Sequence, residues 1–148
     1  LAGGLYLSLE DPLSALIYYR RAKGLSPQSP SALNNLAFAY AQAETNLDTA
    51  MALTEQALSR MPGHPTILDT LGYIKIKQKD YDSAVQTLKD ALEKKPDNPV
   101  IHFHLAQALA GMDNRTDAFK HLSIALKDSG FPYKNEARRL KTKLQATP

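Results

Sequence analysis

Four segments of the chain place small or helix-breaking residues at the same intervals. Ala84 and Ala91 are seven residues apart, and Pro96 follows five later. Ala15, Ala22 and Pro27 keep this spacing, as do Ala50, Ala57 and Pro62. Ala118, Ala125 and Gly130 keep it again, with glycine in place of proline. A second set of prolines, Pro30, Pro65 and Pro99, is separated by 35 and 34 residues. A period of that length means that one short unit is used several times.

The residues before these prolines are Ser29, His64 and Asn98. Ser or Asn caps a helix N-terminus, and proline suits the first helical position because its missing N–H would be unpaired there anyway. A helix is therefore predicted to start at each proline. Asp11-Pro12 marks a second start within a unit, and Asn46, Asp80 and Asn114 hold the equivalent place. Apolar residues follow at helical spacing, as in Ile67, Leu68, Leu71 and Ile74, and then Tyr81, Ala84, Val85, Leu88, Ala91 and Leu92. Each unit is thus two helices joined by a short turn. Such a unit cannot close its own core and must stack on its neighbours. Gly72 with Ala84, Ala37 with Ala50, Ala106 with Ala118, and Gly3 with Ala15 are predicted where the paired helices press together.

The stretch "TLGYIKIKQKDYDSAVQTLKDALEKKPDN" resembles the tetratricopeptide repeat, and Leu36-Ala37-Tyr40 and Leu105-Ala106-Leu109 carry the pattern in the flanking units. The resemblance implies an all-α, right-handed solenoid of antiparallel helix hairpins. The expected units are a partial repeat at 1–29, repeats at 30–64, 65–98 and 99–132, and a C-terminal capping helix at 133–148. In that helix Tyr133, Ala137, Leu140 and Leu144 form one apolar stripe. The chain departs from the pattern in four ways. The first aromatic column holds Leu33, Leu68 and His102, and Lys75 replaces a tyrosine. One extra residue lies between Glu44 and Leu47, and Gly130 replaces the closing proline. The chain opens mid-pattern at "LAGGLY", and further repeats are expected before it.

Composition narrows the function. There is no cysteine, so disulfides and cysteine-held zinc are excluded. No apolar run reaches the roughly 18 residues of a membrane span. The net charge is +3, and the tail from Tyr133 carries Lys134, Arg138, Arg139, Lys141 and Lys143 against Glu136 alone. The rest is nearly balanced and forms no nucleic-acid stripe. His102 and His104 stand two apart on one helix and cannot share a metal; His64 lies in a turn, and His121 has no histidine four residues on. Gly3-Gly4 reads as hairpin packing rather than a phosphate cradle. No catalytic constellation, cofactor or metal is expected.

Protein binding remains. The resemblance implies that the first helices line a concave face which takes a peptide or a partner's helix. The phase turns Ser31, Asn34, Asn35, Phe38, Ala41 and Gln42 inward, then Thr66, Asp69, Thr70, Tyr73, Ile76 and Lys77, then Val100, Phe103, His104, Gln107 and Gly111. Asn34, Asn35, Phe38, Asp69, Tyr73, Lys77, His104 and Gln107 are the expected peptide-binding set. Phe38 and Tyr73 also suit packing between hairpins, and Asn34-Asn35 also suits plain solvated surface. Chaperone-binding members of the family grip a C-terminal carboxylate with several cations; only Lys75 and Lys77 lie on these first helices, which excludes that role. The segment from Ser31 to Ile74 is also similar to the last repeats of bacterial envelope proteins of exopolysaccharide export and protein sorting. That similarity implies a scaffold with its groove unused and tilts the location towards the periplasm or envelope, with the cytoplasm open. Self-association through the uncapped N-terminal end is a further expectation.

Overall fold

The computed structural model describes residues 11–146. Residues 1–10 of the expected 1–29 unit, Gly3 and Gly4 among them, lie outside the described residues, and so does the predicted Gly3–Ala15 contact. Among those described there are eight helices and no strand. They are α1 (Pro12–Leu25), α2 (Pro30–Gln42), α3 (Leu47–Arg60), α4 (Pro65–Lys77), α5 (Tyr81–Lys94), α6 (Pro99–Gly111), α7 (Arg115–Leu126) and α8 (Lys134–Ala146).

Polar side chains start most of these helices. Asp11, Ser29, Asp80 and Asn114 each accept a hydrogen bond from the backbone N–H three residues on, and Asn98 accepts from both Val100 and Ile101. Each such cap stabilises its helix by about 1 kcal/mol. Two starts differ: neither His64 nor Asn46 makes a side-chain cap bond. Asn46 is left-handed, a consequence of the extra residue in its turn.

The hairpin turns share one geometry. Glu44, Lys79 and Asp113 each take a positive φ just past the end of a first helix. The next N–H in each case reaches back to Tyr40, Lys75 or Leu109, satisfying a terminal carbonyl. A side chain in this left-handed region carries a steric cost that glycine escapes. Lys79→Gly should therefore raise stability by about 0.5–1 kcal/mol in chemical denaturation; an unchanged or lower midpoint would count against the cost.

Within hairpins α2 packs on α3, α4 on α5 and α6 on α7. Between hairpins the first helices α2, α4 and α6 lie side by side, and each second helix also packs on the following first helix. The small residues sit at these seams. Ala37, Ala50, Ala84, Ala106 and Ala118 are fully buried, and a Cβ on Gly72 would lie 2.5 Å from Cγ of Leu88. The core divides into two clusters that meet on α4: Ile67 and Ile74 belong to one, while Leu68 and Ile76 pack against the other. α8 packs across α7 and α6, with Ala137 buried and Tyr133, Leu140 and Leu144 against the second cluster.

Candidate protein-binding groove

Because α2, α4 and α6 run side by side, residues one period apart form rows. One row is Phe38, Tyr73 and Gln107; the row a turn earlier is Asn35, Thr70 and His104. The aromatic members join these rows into a ladder. Phe38 and Tyr73 have ring centroids 5.0 Å apart, and Tyr73 stacks on His104 at 4.7 Å. The ladder continues through Phe103, which stacks on Tyr133 at 5.8 Å and meets Phe131 edge-on. It therefore runs from α2 to the segment that leads into α8.

The structure divides the expected peptide-binding residues into a floor and a wall. His104 and Asp69 form the floor: Nδ1–H of His104 donates to Oδ1 of Asp69 at 2.7 Å, and both residues are buried. They bind each other rather than facing outward. Tyr73 is also largely covered, at 9% exposure, so its packing role weighs heavily. Its hydroxyl lies above its ordinary pKa through burial, which Lys77 partly offsets. Phe38, Asn35, Lys77 and Gln107 are partly exposed. Lys77 bonds Glu44 at 2.8 Å and lies over the Tyr73 ring at 5.3 Å. Burial pulls Lys77 down, but Glu44 and Tyr73 together outweigh it and raise its pKa. Asn34 is buried.

Two cavities follow the ladder. One, of about 230 Å³, lies between Phe38, Gln42, Tyr73, Lys77, His104 and Tyr133. The other, of about 490 Å³, lies between Tyr81, Ala110, Arg115, Leu140, Lys143 and Leu144. Phe103, Gln107 and Glu136 line both, so the two adjoin. Side-chain oxygens of Asn34, Gln42 and Gln107 are buried without a hydrogen-bond partner. Such atoms carry a desolvation cost of about 1–3 kcal/mol until something donates to them.

Sequence reasoning assigned α8 to covering the array; its part in the cavity walls was missed. Burial pushes the Tyr133 hydroxyl up to about 12, and Glu136, Leu140, Lys143 and Leu144 complete the larger cavity. The signal was Phe131-Pro132-Tyr133, a rigid aromatic segment placed to fold back on α6. Gly111, expected on the inward face, lines the larger cavity and also packs closely on the preceding hairpin: a Cβ there would lie 2.5 Å from the Tyr81 ring.

Stacked helix hairpins with an inner face of first helices define an α-helical repeat protein. Residues 75–144 match the family pattern of the tetratricopeptide repeat. A thermophilic TPR protein from Thermus thermophilus is similar over 97% of this chain and 77% of its own, with a TM-score of 0.82 at 22% identity. MamA from Desulfovibrio magneticus is similar over 97% of this chain and 89% of its own, with a TM-score of 0.62 at 18% identity. Mouse interferon-induced protein with tetratricopeptide repeats 2 is 34% identical over 84 residues, 55% of this chain and 17% of that protein. A TPR repeat-containing protein of Pseudomonas aeruginosa is 34% identical over 74 residues, 50% of this chain and 12% of its own. The chain thus spans under a fifth of the length of these two relatives. The chain carries tetratricopeptide repeats. Repeats of this family are generally non-catalytic modules for protein interaction. No helix of the described residues is long and apolar enough to cross a membrane.

Proposed function

We propose that the groove along α2, α4, α6 and α8 binds a segment of a protein partner, anchored by apolar side chains in its two adjoining cavities. In this reading the array comprises a partial repeat at 1–29 and repeats at 30–64, 65–98 and 99–132, with α8 closing the end. The aromatic ladder beside the cavities carries the proposal. Rings supply contact area at low entropic cost, and such anchors hold a large share of interface energy. Asn34, Gln42 and Gln107 have side-chain oxygens ready to accept from an incoming donor.

Segments selected from a displayed peptide library by the whole chain provide the test, with titration calorimetry as the readout. Phe38→Ala should weaken binding by about 1–3 kcal/mol with the helical signal retained, because Phe38 is partly exposed. Gln107→Ala should weaken it as well. Tyr73→Ala is the poorer probe, since it empties a largely buried site. Failure to select any segment, or equal binding by Phe38→Ala and wild type, would overturn the reading.

One observation favours a second reading. Asp69, His104 and Tyr73 already satisfy one another across the floor, as a purely structural seam would. The chain is then a scaffold segment with an idle groove, consistent with the sequence resemblance to bacterial envelope proteins of export and sorting.

A further inference from the structure

His102 and His121 sit on facing sides of the α6–α7 hairpin. Their rings stack at 5.1 Å, and their Nδ1 atoms are 2.8 Å apart. The other nitrogen of His102, Nε2, lies 2.7 Å from the carbonyl oxygen of Pro96, in the loop before α6. A carbonyl only accepts, so His102 must carry its proton on Nε2. Neutral His102 then presents a bare Nδ1, and the short contact requires His121 to donate from Nδ1. Both tautomers are fixed by these two distances.

This chain of bonds limits how many protons the pair can hold. A first proton enters on Nε2 of His121, and both hydrogen bonds survive. A second would have to enter on Nδ1 of His102, where it would point at the Nδ1–H of His121. The contact would become donor against donor. We propose that the pair is a proton-sensitive fastener, which holds α7 and the Pro96 loop to α6 when it bears no more than one proton and releases them on the second.

The surroundings act in the same direction. Burial first, and then repulsion from His102, hold His121 below its ordinary value of 6.5. Lys89 on α5 and Lys120 on α7 also oppose its charge, while Asp117 on α7 favours it. Charged groups that α4 and α8 hold against this hairpin include Asp69, which is bonded to His104, and Lys141, which lies over the Phe119 ring. Unfolded, both histidines titrate freely and bind two protons. The unfolded chain therefore binds more protons in acid, and stability present above about pH 6.5 is lost progressively as pH falls below that value towards the lowered value of the folded pair. Since α6 also bears Phe103 and Gln107, a released hairpin would disturb the larger cavity. That last consequence rests on the groove reading; the pH dependence does not.

The experiment is urea denaturation of the whole chain between pH 8 and pH 5. Below pH 6 the folding equilibrium of the wild type should fall about tenfold more per pH unit than that of His102→Leu, the difference of one proton. His102→Leu installs the residue that Leu33 and Leu68 provide at this place in the other first helices. His121→Thr, which copies Thr87 at the matching place in α5, should flatten the profile in the same way. Imidazole nitrogen shifts of the wild type at pH 8 give a readout that needs no variant: His102 should be the Nε2–H tautomer and His121 the Nδ1–H tautomer. Parallel pH profiles for wild type and variants, or the opposite tautomers, would overturn the proposal.

Discussion

Gly72→Leu should cost about 3 kcal/mol, at the upper end of overpacking penalties. The first added carbon alone would stand 2.5 Å from Cγ and 2.6 Å from Cδ2 of Leu88, which is fully buried. α4 cannot back away, because it also packs on α2, α3 and α6. Chemical denaturation should show the loss, and Leu88→Ala provides the control. Alone, that change empties a core site and should cost about 2–5 kcal/mol. Combined with Gly72→Leu it opens room for the new side chain, so the double variant should lose less than the sum of the two. Strict additivity would mean that the two positions do not meet.

Removal of residues 133–148 should lower stability by about 4 kcal/mol, as the partly or fully buried Tyr133, Ala137, Leu140 and Leu144 leave the array. Melting should move down by roughly 10–20 °C for a chain of this size. Phe103 and Phe131, now buried, would become exposed, and the truncated protein should self-associate in size-exclusion chromatography with light scattering. A monomer with unchanged melting would remove α8 from the cohesive part of the array. Because Tyr133, Glu136, Leu140 and Leu144 also line the cavities, the point variant Ala137→Gly, at a buried position of α8 that lines neither, separates stability from binding better than the truncation does.

What was legible in the sequence follows how far apart the interacting residues are. Capping is a contact across three residues, so Ser29, Asp80, Asn98 and Asn114 could be read directly. Gly72 was legible because the repeat phase converts a sequence offset into a known seam. The Asp69–His104 bond spans 35 residues and joins positions that differ by one place in their repeats, so simple register does not predict it. His102 and His121 were judged by neighbours on their own helices, where each stands alone. Their contact exists only because α7 folds back on α6. The row of Gly111 places it on the inner face with Gln42 and Lys77, where it lines the larger cavity. Its close approach to Tyr81, on the second helix of the preceding hairpin, was not legible, because it too depends on how the hairpins stack.

The longer turn after α2 has an effect beyond its own hairpin. With its extra residue it takes two left-handed residues, Glu44 and Asn46, where the later turns use one. Glu44, in the same turn, bonds Lys77 at the end of the next first helix. In a stack whose members touch mainly their neighbours, an insertion in one connector retunes one junction and leaves the others alone. Turn length is therefore an independent dial for each joint. It sets the local pitch of the superhelix, and with it the stride at which successive side chains of a bound segment would meet successive rows.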